Sequence, residues 1–343
     1  MRYRDLDWNA LWQEERRNKS RPRRGRQDWD RRAEGFASRN LDSPYTTQFL
    51  AMFDWQPQWT VLDAGCGPGT LSLPLAHRVR KVTALDFSAA MLAELEKQQQ
   101  RQGLNNIQPV QAAWEDDWQA LGIEPHDVVI ASRSLAVDDL EGALVKMDRW
   151  TKQLAIIGDR VGAGPFDPDL FAAINRPFDP GPDYIFTLNI LYRLGIHARV
   201  DFITVEHQRP YASREEAVAS LEWMIPADQP LTAEERGKLE AYADARLEAR
   251  PEGGWLLTRR TPSKWAVIYW EKVTAHQGQK PVDLTGRSRT AGPQIRASSQ
   301  APRTQGTQAR LIARRCGAAV RLPWDQARPC RTSRKMQVIT WSR

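Results

Sequence analysis

Val61-Leu62-Asp63-Ala64-Gly65-Cys66-Gly67-Pro68-Gly69-Thr70 is the stretch whose reading decides the fold. Apolar Trp59, Val61 and Leu62 lead into an acid, and glycines follow at 65, 67 and 69. The pattern predicts a buried parallel strand that ends in a tight glycine turn and opens a helix. Glycine suits such a turn because it adopts backbone angles other residues avoid. Its missing Cβ also lets a ligand lie against the main chain.

Strands and helices alternate outward from that turn. Leu71 to Arg80 predicts a short crossover helix, and Lys81 to Asp86 a second strand that again ends in an acid, 17 residues beyond Gly69. Ser88 to Gln102 reads as a helix with Met91, Leu92 and Leu95 on one face, closed by Gly103. Further strands are predicted at 107–113, 127–132 and 153–158, with a helix over 140–151 between the last two. Upstream, 1–20 and 29–39 have helical spacing around a basic break at 21–26. Ser43 is placed to cap a helix that has Pro44 at its first position and runs to Phe53. The sum is an α/β fold: a doubly wound, mostly parallel seven-stranded sheet with helices on both faces and extra helices at the N-terminus.

The pattern changes beyond the fifth strand. Residues 160–193 mix turn-formers with Phe166, Phe171, Phe178, Tyr184, Phe186 and Tyr192, which predicts an insertion (160–195) folded over the sheet's ligand edge as a substrate cap. Strands are expected at 200–209 and 263–270, with two helices in 213–250, the second from Ala233 to Ala249 behind the cap residue Thr232. The expected organisation is therefore a helical arm at 1–40, a domain at 41–275, and a low-complexity tail at 276–343. In that tail Val, Leu, Ile and Phe supply 9 of 68 residues, a composition that predicts disorder. Its basic charge leaves open a nucleic-acid arm.

Charge is unevenly spread. The chain carries net +7, yet residues 276–343 contribute +12 and residues 41–275 sum to −10. A nucleic-acid enzyme usually places its basic face on the folded domain, so this balance argues against a nucleic-acid substrate for the domain. Of three cysteines, Cys66 alone lies before residue 276, which indicates a reducing compartment. The five histidines show no metal-ligand spacing. With no long apolar run and no signal-like N-terminus, the expectation is a cytoplasmic protein that makes no membrane contact.

Asp63, the three glycines, Asp86 and the strand spacing together resemble the class I (Rossmann-like) S-adenosylmethionine-dependent methyltransferases over about residues 27–275. The resemblance implies S-adenosyl-L-methionine as cofactor and a closing hairpin with one antiparallel strand, which the strands at 200–209 and 263–271 would supply. It implies that Asp63 orients the methionine amino end, that Gly65, Gly67 and Gly69 let the backbone approach, and that Asp86 accepts both ribose hydroxyls. The family's adenine acid after the third strand is replaced by Ala113. Glu115 or Asp116 is the candidate to substitute for it, and Trp114 the candidate to stack on the ring. Ser132 matches a position where backbone lines the cofactor. Trp29 and Tyr45 are candidates to close over the methionine end, or else core aromatics. A nicotinamide fingerprint would place glycine at position 70, where this chain has Thr.

Catalytic residues are not legible in the sequence. Arg133, Asp138, Asp139 and Arg160 follow strands at the substrate side, and Tyr184 and Tyr192 could shape an acceptor pocket or serve as packing. Cys66 reads as a small packing residue. The expected activity is methyl transfer to a small-molecule acceptor. The alternatives are an RNA or protein methyltransferase and a non-catalytic S-adenosylmethionine-binding protein.

Overall fold

A computed structural model describes residues 5–18, 25–41, 43–206, 210–226 and 228–272. The tail 276–343 lies outside the described residues, as does most of the basic break at 21–26. The N-terminal helices are α1 (Trp8–Asn18), α2 (Arg26–Asp30), α3 (Ala33–Asn40) and α4 (Pro44–Ala51). The helix expected over 29–39 is thus divided, with a turn at Arg31 and Arg32. At α4 the Ser43 hydroxyl accepts from the Thr46 N–H, with Pro44 at the first helical position.

The alternating core follows as β1 (Thr60–Ala64), α5 (Ser72–Ala76), β2 (Lys81–Asp86), α6 (Ala89–Arg101), β3 (Ile107–Gln111), β4 (His126–Ser132), α7 (Leu140–Trp150) and β5 (Thr151–Arg160). Then come α8 (Pro168–Ala173), α9 (Tyr184–Arg193), β6 (Arg199–Val205), β7 (Pro210–Tyr211), α10 (Arg214–Glu222), α11 (Ala233–Asp244), β8 (Leu247–Ala249), β9 (Trp255–Leu257) and β10 (Ser263–Glu271).

Seven strands form one sheet in the order β3-β2-β1-β4-β5-β10-β6. β10 runs antiparallel to both β5 and β6, whereas β1 to β5 pair in parallel. Pro109 lies in β3, which is an edge strand and tolerates the missing N–H. Side chains alternate between the two faces. Leu62, Ala64, Val129 and Ala131 join Trp12, Leu144, Met147 and Ile190 on one face; Val61, Val128 and Ile130 join Phe49, Leu75 and Leu95 on the other. Burial on both faces explains why the strands read as near-continuous apolar runs.

A third core lies apart from these two. Phe166, Leu170, Phe171 and Phe178 pack with Leu221, Leu239 and Tyr242 beside the small antiparallel sheet β7-β9-β8. Residues 160–195 therefore divide: 166–178 build this core, while Tyr184 and Phe186 pack on the α1 side of the main sheet. α11 stops at Asp244 rather than Ala249, because 247–249 pairs with 255–257 across a turn holding Gly253 and Gly254 at positive φ. No helix among the described residues is long and apolar enough to cross a membrane.

Candidate cofactor and acceptor site

A cavity of about 330 Å3 opens at the carboxyl ends of β1, β2, β3 and β4, where strand order reverses between β1 and β4. Open parallel sheets bind ligands at this switch point. Asp63, Gly65, Gly67, Asp86, Trp114, Glu115 and Ser132 all line it.

Asp63, the penultimate residue of β1, is buried, and its Oδ2 accepts from the Ser72 hydroxyl at 2.7 Å. Burial pushes its carboxyl up to about 6, against the Ser72 hydrogen bond and with Asp86 adding to the rise. Asp86 ends β2. Its Oδ2 accepts from the Gly67 N–H at 2.8 Å and its Oδ1 from the Ser88 N–H at 2.9 Å. Burial raises its carboxyl too, and those two N–H groups oppose the rise. Asp86 thus holds the glycine turn in shape while facing the cavity.

The three turn glycines do different work. Gly67 (φ +55) has nothing within 4 Å of where a Cβ would stand, so its bare side faces open space. At Gly65 a Cβ would meet the Ser134 side chain at 2.3 Å. Gly69 does not line the cavity; a Cβ there would fall 2.4 Å from Leu95 Cδ1, so its bareness lets the turn pack against α6.

The candidates for the adenine end are only partly gathered. Trp114 and Glu115 line the cavity with Ala112 and Ala113, but Asp116 does not. Its Oδ2 accepts from the Ala113 N–H at 2.8 Å and shapes the loop instead. Trp114 leans on Trp118, ring centroids 5.1 Å apart.

On the opposite wall Trp29 and Phe36 close in from the arm, edge to face at 5.7 Å, with Gly25 and Arg26 beside them. Asp30 fastens this arm, accepting from the Ser88 hydroxyl at 2.5 Å. Tyr45 is buried outside the lining, its hydroxyl 2.8 Å from Ser132 Oγ.

Arg133 lines the cavity from a left-handed backbone (φ +59), which is uncommon outside glycine, and its guanidinium sits 4.6 Å from the Tyr45 ring centroid. The other polar candidates are engaged elsewhere. Asp139 caps α7 and accepts from Asn9, Arg16 approaches Asp138, and Arg160 donates to the Pro182 carbonyl. None of residues 160–195, Tyr184 and Tyr192 included, lines the cavity.

The residues present fit an adenosyl amino-acid cofactor. Two buried acids match a ribose diol and an ammonium, and the open side of Gly67 admits close approach. Two orphaned polar atoms await partners: among the described residues, the buried Thr70 Oγ1 and Trp114 Nε1 have none. Thr70 and Phe36 are lining residues that the sequence did not single out for the site. Phe36 shares the helical spacing of Trp29, a signal that was present. Among the described residues no cluster of three or more His, Cys, Asp or Glu could hold a metal ion.

A doubly wound sheet with an acidic glycine-turn cleft defines the class as a nucleoside-cofactor enzyme. Comparison with known proteins narrows it. Residues 61–153 match the family described as Methyltransferase domain. An uncharacterized protein of Haemophilus influenzae is 34% identical over 245 residues, 71% of this chain and 88% of that one. The 23S rRNA (uracil(1939)-C(5))-methyltransferase RlmD of Xanthomonas campestris is 38% identical over 69 residues, 20% of this chain and 16% of that enzyme. Among solved structures, YcgJ of Bacillus subtilis is 16% identical with TM-score 0.45, covering 66% of this chain and 97% of that one. The chain belongs to the class I S-adenosylmethionine-dependent methyltransferases. It is a methyltransferase, and its cofactor is S-adenosyl-L-methionine.

Proposed function

We propose that this enzyme methylates a small molecule that enters beside Ser132 and Arg133 under the aromatic arm. The observation that carries the reading is the closure of the cavity by Gly25, Arg26, Trp29 and Phe36. With the cofactor in this cleft, an acceptor reaches the methyl end only beneath that cover, which suits a small ligand better than a polymer. The acidic balance of residues 41–275 also disfavours a polyanionic acceptor.

The same reading assigns the site. Asp63 holds the cofactor's ammonium, Asp86 its ribose hydroxyls, and Gly65 and Gly67 give the backbone approach. Trp114 and Glu115 flank the adenine, and Ser132 lies at the methyl end. Gly69 keeps the turn seated on α6. The bound cofactor supplies an electrophilic methyl group with its own leaving group, so the protein's contribution is alignment and exclusion of water. Trp29 and Phe36 exclude water, and the Tyr45–Ser132 pair fixes the wall against which the acceptor rests. We further assign 41–275 to the methyltransferase domain, with 1–40 as its arm and 276–343 outside the catalytic unit.

Calorimetry of the full chain with S-adenosylhomocysteine, followed by screening of small carboxylates, amines and phenols with methyl-labelled cofactor, tests this. Label incorporated into bulk RNA but into no small molecule would overturn the acceptor class.

A further inference from the structure

Arg133 stands out among the cavity's side chains. It follows β4 directly, and its positive φ turns it out of the pleat toward the cavity. The Tyr45 and Trp265 rings fix the guanidinium, with centroids 4.6 and 5.6 Å away. Tyr45 is itself pinned: its hydroxyl meets Ser132 Oγ and lies 2.2 Å from where a Gly158 Cβ would stand. Among the described residues no carboxylate approaches Arg133 within salt-bridge distance, and no protein atom accepts a hydrogen bond from its guanidinium. Burial disfavours its charged form, and the Asp63 carboxylate opposes that shift. A desolvated, oriented fork of donors facing a cavity lacks one thing, an anion.

We propose that Arg133 is the site's carboxylate receptor, taking a ligand carboxylate on its planar fork beside Asp63, which keeps the cofactor's ammonium. The inference rests on the cofactor assignment above. A carboxylate can come from two sources: the α-carboxylate at the cofactor's methionyl end, or a carboxylate on the methyl acceptor. Arg133 and Asp63 together match an amino-acid zwitterion, and Arg133 is the sole role here that depends on a planar donor pair, which lysine lacks.

The test uses the full-length protein and three probes: S-adenosylhomocysteine, its decarboxylated analogue and 5′-methylthioadenosine. Each is titrated by calorimetry into wild type, Arg133→Lys and Arg133→Gln, with thermal unfolding as the folding check. If the cofactor is the source, wild type binds the decarboxylated analogue about 10- to 100-fold more weakly than S-adenosylhomocysteine. Arg133→Gln then binds the two alike, and methylthioadenosine affinity is unchanged by either substitution. If the acceptor is the source, wild type binds the two alike. Benzoate then binds the wild-type complex with S-adenosylhomocysteine but not the Arg133→Gln complex, and only weakly that of Arg133→Lys.

The absence of both patterns in wild type overturns the proposal, and so does the persistence of either pattern in folded Arg133→Gln. Should Arg133→Gln not fold, Arg133→Lys and the wild-type discrimination decide. Failure of wild type to bind S-adenosylhomocysteine and methylthioadenosine at all refutes the cofactor site itself, which is a separate result.

Discussion

The two walls of the cavity are built in opposite ways. One wall, Asp63 through Met91, comes from a single contiguous stretch: strand, turn, helix, strand and the start of a helix. The other gathers Trp29 and Phe36 from the arm, Trp114 from beyond β3, and Arg133 from beyond β4, backed by Tyr45 and by Trp265 on the last strand. A contiguous wall is specified by local turn chemistry. A gathered wall exists only once the sheet has assembled.

Breaking the contiguous wall is expected to have the largest effect. Asp86→Ala removes the proposed ribose acceptor and the partner of the Gly67 N–H, so S-adenosylhomocysteine should bind about 100-fold more weakly by calorimetry. The turn glycines sharpen the comparison. Gly69→Ala drives a Cβ into Leu95 and should cost about 2–3 kcal/mol of stability in chemical denaturation. Gly67→Ala meets no protein atom, so its loss should fall more heavily on cofactor affinity than on stability.

The Asp63 carboxyl, at about 6, gives the next effect. Only the ionised form attracts an ammonium, so affinity should be level above pH 7 and fall about tenfold between pH 7 and pH 5. Asp63→Asn should flatten that profile. On the gathered wall, Trp29→Ala should weaken binding by only about fivefold, since one ring covers an already anchored ligand.

The smallest expected effect lies outside both walls, in the core of residues 166–257. Arg176 holds Glu235 through Nε–Oε1 and Nη2–Oε2 contacts of 2.6 and 2.7 Å, which keeps the Glu235 carboxyl down at about 2. Its folded value is below the ordinary 4.5, so the stabilisation is full above pH 4.5 and fades as pH falls toward 2. Arg176→Ala should flatten melting temperature across that acid range and leave cofactor affinity within twofold of wild type. A larger change in affinity would show that this core and the cavity are coupled.

The same contrast explains what the sequence disclosed. The succession of strands and helices and the acids of the turn were legible because each is written in a short window: alternating segments, three glycines, a carboxylate at a strand end. Ser43 and Thr232 were legible as caps for the same reason. One antiparallel strand in a closing hairpin was implied by the family resemblance, and β10 fills that place. The third core was not legible, because its aromatics at 166–178 find partners forty to eighty residues later, and no window contains both. The split role of the glycines was hidden as well. Whether a missing Cβ faces a ligand or Leu95 depends on where α6 docks. Asp138, Asp139 and Arg160 stood at the right strand ends, yet tertiary partners claimed them.

One hydroxyl ties the two walls together. Ser88 caps α6 through the Met91 N–H, offers its own N–H to Asp86, and donates its hydroxyl to Asp30 on the arm. Asp86, proposed above as the ribose acid, and Asp30 on α2 are therefore one residue apart through hydrogen bonds. Asp30→Ala should therefore raise the off-rate of S-adenosylhomocysteine while altering no residue that lines the cavity, a change that stopped-flow displacement would read.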